Sequence, residues 1–297
     1  DWQSSSANNI VLVESGKQYK VLTLTDCFEY DEQTYNYYGS YSFTGTKIEQ
    51  AVVTAILNVT TDDKVVVDMI KGNNEQDYSS LKTLLENNAY QVNEVSLATG
   101  DFDSNAKIAI MYAPSVDLDE KIVEKLSTWL SNDGKYGRSL IYVPTADMGE
   151  MPNLDDFLKE WGMSIDRGYV FETDESTLVS ASSPYAFTVS YGDYYKDNLK
   201  NSKIPVVVSE SHAVNITDEN TAHALLKTSD KAGVLPIDAD KNWDYKDAVS
   251  GNGENVAAEG VMTNEDKNSS RVIIFGSYVM FSDTIMKYNS FNNSAYF

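Results

Sequence analysis

Few residues in this chain stand where they could do chemistry, and the best placed of them is a serine. Residues 108–115, IAIMYAPS, read as a buried strand that ends in a sharp turn at Ala113, Pro114 and Ser115. In open α/β sheets, ligands and catalytic groups gather at the carboxyl ends of the strands. A hydroxyl there becomes a nucleophile only with a base within hydrogen-bond reach. The sequence around Ser115 supplies no Cys, no His and no acid–base pair. A second turn, Lys71-Gly72-Asn73-Asn74-Glu75, follows an apolar run and precedes a helix. That is where a dinucleotide-binding fold carries its phosphate turn, but both G-x-G-x-x-G and the Walker lysine pattern are missing. No cofactor is expected.

The remaining reactive types are sparse. His212 and His223 are the 2 histidines, and their spacing gives neither HExxH nor a zinc pair, so both read as surface or hydrogen-bonded core residues. Asp101 and Asp103 lack the glycine and terminal Glu of a calcium loop. Asp155 and Asp156 read as neighbours on a solvated helix face. Cys27 is the 1 cysteine, so no internal disulfide can form, and it reads as a small buried hydrophobe at a strand end. No catalytic or metal-ligating residue is assigned.

A different kind of candidate lies at residues 29–43, where Tyr30, Tyr35, Tyr37, Tyr38 and Tyr41 stand among polar residues. The segment reads as a loop or hairpin. Its rings either pack it down or form a recognition surface. The candidate binding residues are therefore Gly72, Asn73, Asn74, Glu75, Ala113, Pro114 and Ser115 at the strand ends, with Tyr35, Tyr37 and Tyr38.

The elements that must position these residues alternate. Residues 64–70, 90–95, 108–112 and 140–143 read as strands. Residues 74–87 read as a helix built on Tyr78, Leu81, Leu84 and Leu85. Between the last two strands a helix lines Ile122, Leu126, Trp129 and Leu130 on one face, with Asp117 or Asp119 as its N-cap. Such spacing means right-handed βαβ units and a mostly parallel sheet with helices on both faces. Residues 151–161 are a short helix with Pro152 in its first turn and Gly162 as its stop. Six more strands are read at 169–172, 186–190, 204–209, 223–228, 255–262 and 271–276, adding to the same sheet or lying beside it. Ahead of all this, residues 1–9 are polar, 19–25 alternate as a strand, and 47–58 form a helix burying Ile48, Val52, Ala55 and Ile56. The expected domains are residues 1–60, packed on the main domain, and an α/β domain at 61–297 whose strand extension covers 172–297.

Composition narrows the partners. The 297 residues hold 23 Lys+Arg against 45 Asp+Glu, a formal net charge of −22. A field of that sign repels nucleic acid and anionic lipid surfaces. No apolar run of about 18 residues occurs, so nothing in the sequence spans a bilayer. The abrupt start at Asp1 and stop at Phe297 lead us to expect flanking apolar helices in a longer protein.

Taken in order along the chain, these segments resemble the extracytoplasmic region of gliding-motility-type (GldG-like) ABC-transporter auxiliary proteins, over roughly residues 40–297. The family's "GHGE" turn is matched by Gly72-Asn73-Asn74-Glu75. Its proline-bounded "PxxxLxxEExxxLxxYLxxGG+hhhhhxP", a helix, a glycine turn and a strand, is matched by residues 114–144 and its "NLxxhLxxaGhxhxxxhV" by 153–170. "LLxTS" is matched by 225–229 and the "SRhhhhGxS" strand by 270–277. Asn73 stands in place of the family's His, and one glycine of a double-glycine turn is displaced to Gly134. The resemblance implies a class I glutamine amidotransferase-like, flavodoxin-like fold. In those enzymes a Cys nucleophile follows the strand equivalent to 108–112, where this chain has Ala113-Pro114-Ser115. It further implies a non-enzymatic accessory domain of an ABC-type transport system, anchored outside the bacterial cytoplasmic membrane. Its partners would be the permease or other membrane subunits, or a surface protein or glycan. A carbohydrate- or solute-binding module is the alternative expectation, and an amidotransferase or hydrolase relative the next.

Overall fold

The computed structural model describes residues 10–194, 202–240, 242–249, 251–286 and 291–296; the polar segment 1–9 lies outside them. The chain divides into two compact units, Asp1–Val65 with Lys82–Gln91, and Val66–Leu81 with Val92–Phe297.

In the first unit, β1 (Val11–Ser15) and β2 (Gln18–Leu22) form an antiparallel hairpin. The alternation that reads as strand through residue 25 stops at Leu22. There the Thr23 N–H and hydroxyl both donate to Asp26 Oδ2 at 2.7 Å, which starts the single-turn helix α1 (Leu24–Cys27). This local side-chain capping outweighs the strand pattern. Antiparallel β3 (Phe28–Tyr30) and β4 (Phe43–Thr46) enclose α2 (Glu32–Tyr38), so the tyrosine segment is a hairpin containing a helix. Asp31 caps that helix by accepting from Thr34 N at 2.9 Å, and Gly39 ends it at φ 68°, a left-handed position suited to glycine. The helix α3 (Ile48–Thr60) follows. Leu22, Cys27 and Ala55 are the buried centre of this unit, with Val13, Phe28, Ala51 and Val52 against them. The expected stripe on α3 is corrected: Ile48 and Ile56 are 43% and 46% exposed, and Ala55, Asn58 and Val59 are buried. A helix apolar on most of its circumference does not reveal its inner face through periodicity alone.

The second unit is built on β5 (Val66–Ile70), α4 (Ser79–Asn87, shared with the first unit), β6 (Gln91–Val95), β7 (Ala106–Tyr112), α5 (Glu120–Ser131), β8 (Ser139–Val143) and α6 (Pro152–Glu160). Short strands follow at β9 (Met163–Ile165), β10 (Tyr169–Phe171) and β11 (Leu178–Ser180). After them come β12 (Ser183–Tyr191), β13 (Val206–Ser209), β14 (Val214–Ile216), β15 (Ala222–Lys227), β16 (Gly233–Leu235), β17 (Asn255–Thr263) and β18 (Ser269–Phe275).

The main sheet has the order β11-β12-β15-β17-β18-β8-β7-β5-β6, with β13 on β12. The pairs β5–β7, β7–β8 and β8–β18 are parallel. Gln91 N–H bonds Val65 O and Lys71 N–H bonds Val95 O, which makes β6 parallel to β5 as well. Beyond β18 every pairing is antiparallel. The fold class is thus α/β, a parallel core in the flavodoxin-like order extended by C-terminal strands, as the sequence leads one to expect. All five residues of β5 are buried, as a strand covered on both faces requires. The chain steps one way from β5 to β6 and the other way from β7 to β8, so right-handed crossovers put their helices on opposite faces.

Leu126, Trp129 and Leu130 of α5 and Leu154, Phe157 and Leu158 of α6 join the core with Met111, Leu140, Tyr142, Val272 and Ile274. On β17, a Cβ added to Gly260 would run into the Trp161 backbone, so this strand position admits only glycine at its present spacing. Two minor antiparallel pairs, β9–β14 and β10–β16, lie off the main sheet.

Candidate functional site

In the order β6-β5-β7-β8, the strand sequence reverses between β5 and β7. The crevice outside their carboxyl ends is where such folds bind ligands. The two turns singled out by sequence meet there, inside the second unit. Asn73 O accepts from Ser115 N at 3.1 Å and from Val116 N at 3.2 Å, and Gln76 N–H donates to Ala113 O at 3.2 Å. Asn74 Nδ2 donates to Ser115 Oγ at 2.5 Å, and Ser115 Oγ donates back to Asn74 O at 3.1 Å. Both Asn74 (φ 56°) and Ala113 (φ 48°) are left-handed, which Asn tolerates and Ala does not favour. Ala113 is fully buried and its N–H donates to Val143 O at 2.6 Å, so the strained elbow is held by the neighbouring strand.

The first turn is also closed by its own acid. Gly72 N–H donates to Glu75 Oε2 at 3.1 Å and Asn73 N–H to Glu75 Oε1 at 2.8 Å. Two backbone donors that could hold an anion hold this carboxylate instead. Asn73 is buried, whereas Gly72, Asn74 and Ser115 are exposed.

Further along the strand ends, β7 finishes in Tyr112, whose hydroxyl donates to Tyr278 O at 2.9 Å. Burial holds its phenol well above the ordinary value. His212 is 1% exposed, with Nδ1 2.9 Å from Gly168 O and Nε2 3.0 Å from Thr145 O. It is stacked on Tyr169, with ring centroids 5.5 Å apart. Both ring nitrogens face carbonyl oxygens, which makes His212 a tie between β8's end and the loop before β10. His223 stacks on Tyr194 at 4.1 Å.

The acids resolve into structural roles. Asp119 is the N-cap of α5, accepting from Lys121 N at 2.9 Å. Asp117, the other cap candidate, serves α6 instead: its oxygens accept from Asn153 N at 3.0 Å and Leu154 N at 3.2 Å. Asp155 is engaged by Arg167 at 2.7 Å and is only partly solvated, unlike Asp156, which pairs with Lys159. Asp103 closes its own turn through Asn105 N, and its N–H bonds buried Asp68 at 2.7 Å. Among the described residues, no group of three or more His, Cys, Asp and Glu gathers as a metal site. None of their helices is long and apolar enough to cross a membrane.

The tyrosines belong to the first unit. Tyr35 and Tyr41 stack at 4.5 Å and 14°, Tyr30 meets both edge-on, and Tyr41 also stacks on Phe43 at 5.9 Å. A hydrogen bond with Tyr35 holds the Tyr41 phenol above its ordinary value. Tyr37 and Tyr38 form a separate edge-to-face pair and are 81% and 72% exposed. Sequence reading missed a groove of about 590 Å³ over α5, where Phe102 stacks on Trp129 and Arg138 lies 5.3 Å from the Trp129 ring. Its cations and acids, Lys121 and Lys125 against Asp101 and Glu124, give no single-sign signal in the sequence.

No protein-family model matches the sequence, and no curated protein does. Among solved structures, the chain is similar to the "mmIFT52 N-terminal domain", with a TM-score of 0.55 and 14% identity over 76% of this chain and 92% of that one. It also aligns with PurLQS from Thermotoga maritima at a TM-score of 0.39 and 10% identity, over 78% of this chain and 96% of that one. The first likeness is one of fold alone, and the second carries no argument.

Proposed function

We propose that this chain is a non-catalytic accessory domain of an ABC-type transport system. In this reading it stands on the extracytoplasmic face of a bacterial membrane, held by apolar helices of a longer protein, and works through contacts with the permease or other membrane subunits. The observation that carries the non-catalytic part is the direct bonding of the two turns to each other at the switch point. The Ser115 hydroxyl donates its hydrogen bond to a backbone carbonyl, Asn74 O, which is no base. The elbow position itself holds the methyl group of Ala113. The transport part rests on the sequence resemblance. It is supported by Asn74 at φ 56°, a left-handed position that the second glycine of the resembled "GHGE" turn would fill without strain.

The test has two arms. The purified chain, given glutamine and an activated ester, should turn over neither. If an ATPase and a permease are encoded beside it, as the proposal expects, their co-expression with the full-length protein should yield a complex that survives purification. Saturable hydrolysis abolished by Ser115→Ala, or failure of the full-length protein to associate with any transporter subunit, overturns the proposal.

A further inference from the structure

The first unit presents a surface that the proposed function does not use. Helix α2 is fixed at both ends, by the Asp31 cap and by left-handed Gly39, so Tyr37 and Tyr38 in its last turn are held out rather than dangling. At 81% and 72% exposure these two rings face water. Clustered exposed aromatics of this kind mark a site of contact.

Charge selects the partner. Between Val21 and Thr46 the sequence holds Asp26, Glu29, Asp31 and Glu32 and neither Lys nor Arg, within a chain of net charge −22. Glu29 is exposed on β3. Tyrosine faces attract cations through the ring quadrupole, and nearby carboxylates strengthen that pull. We propose that Tyr37 and Tyr38, exposed in a segment that carries four acids and neither Lys nor Arg, form a docking surface for an arginine-bearing segment of a protein partner. A planar guanidinium stacks on a single ring face. A sugar wants a broader shelf. Tyr41 is already stacked on Tyr35 and Phe43, and Tyr37 and Tyr38 cross at 71°, so no flat shelf is offered. An anionic bilayer would be repelled by the same acids.

The probes are a short Gly/Ser peptide bearing arginines, its glutamate counterpart, and a neutral oligosaccharide, titrated into the purified chain at physiological ionic strength. Two charge-neutral double variants separate ring faces from bulk charge and from packing: Tyr37→Ser with Tyr38→Ser, and Tyr37→Leu with Tyr38→Leu. The arginine peptide should bind, the glutamate peptide should not, and either double variant should weaken binding by about tenfold with an unchanged melting temperature. Unchanged affinity in both variants would reduce the effect to net charge and overturn the proposal. So would a large fall in melting temperature in both, oligosaccharide binding in place of peptide binding, or self-association that the variants abolish. None of these outcomes depends on association with a transporter.

Discussion

Replacing His212 with Phe tests whether the strand ends are tied as described. The ring is 1% exposed and stacked on Tyr169, so Phe keeps the shape and the stacking while removing both nitrogens. Gly168 O at 2.9 Å and Thr145 O at 3.0 Å then face an apolar edge. A neutral imidazole has one N–H and satisfies one of these carbonyls; a doubly protonated ring satisfies both. Each buried acceptor left without a donor costs about 1–3 kcal/mol. The variant should therefore lose about 2 kcal/mol at the least favourable count, and about twice that if both bonds are made. With a urea m value of about 3 kcal/mol/M, the midpoint falls by about 0.7–1.3 M. His212→Gln, which restores a donor, should recover part of the loss. Tryptophan fluorescence is a suitable signal, because Trp129, Trp161 and Trp243 all belong to the second unit. A midpoint for His212→Phe indistinguishable from that of the parent would show that neither contact is a working hydrogen bond.

Two further outcomes follow from the geometry. Asp117→Ala removes both acceptors at the first turn of α6 and should cost about 1–2 kcal/mol in the same urea melts; Asp117→Asn should cost less, and equal stability of Asp117→Ala with the parent would refute the capping role. The phenols of Tyr112 and Tyr142 are held above the ordinary value, chiefly by burial. The folded state thus keeps protons that the unfolded chain gives up near pH 10, so this stabilisation is complete below about pH 10 and falls as pH rises beyond it. Phenolate absorbance should show a class of tyrosines that ionises only with loss of the near-ultraviolet dichroism of the fold, and smooth titration of every phenol in a folded chain would contradict this.

How legible was this structure in the sequence? The parallel core was, because buried strands such as residues 66–70 and 106–112 are near-continuous apolar runs with helices of matching period between them. Two one- and two-turn helices were not. Their signals were polar rather than periodic: Thr23 with Asp26 for α1, and Asp31 with Gly39 for α2. The turns at residues 72–75 and 113–115 could be placed at strand ends by position alone. Their bonding to each other could not, since the bonds from Asn74 Nδ2 to Ser115 Oγ and from Val116 N to Asn73 O join residues that only the β5–β7 register brings together. Asp117 shows the same limit: local spacing allots it to α5, and tertiary structure gives it to the N-terminus of α6.

One consequence of the strand order concerns how the chain becomes this fold. Strand β18 lies between β8 and β17, at the seam where the parallel half of the sheet meets the antiparallel half, yet it is the last strand of the described chain. The bond from the Ser270 hydroxyl to Leu130 O closes a loop of 140 residues. Pairings of such long range are slow to form, because the entropy of closure is lost before the contacts compensate it. During synthesis, β8 and β17 each wait with an open edge until this strand emerges, and open edges invite pairing with other chains. The ribosome makes this keystone after both of its neighbours, so a chain that stops short of residue 269 leaves two half-sheets with adhesive margins rather than a smaller version of the fold.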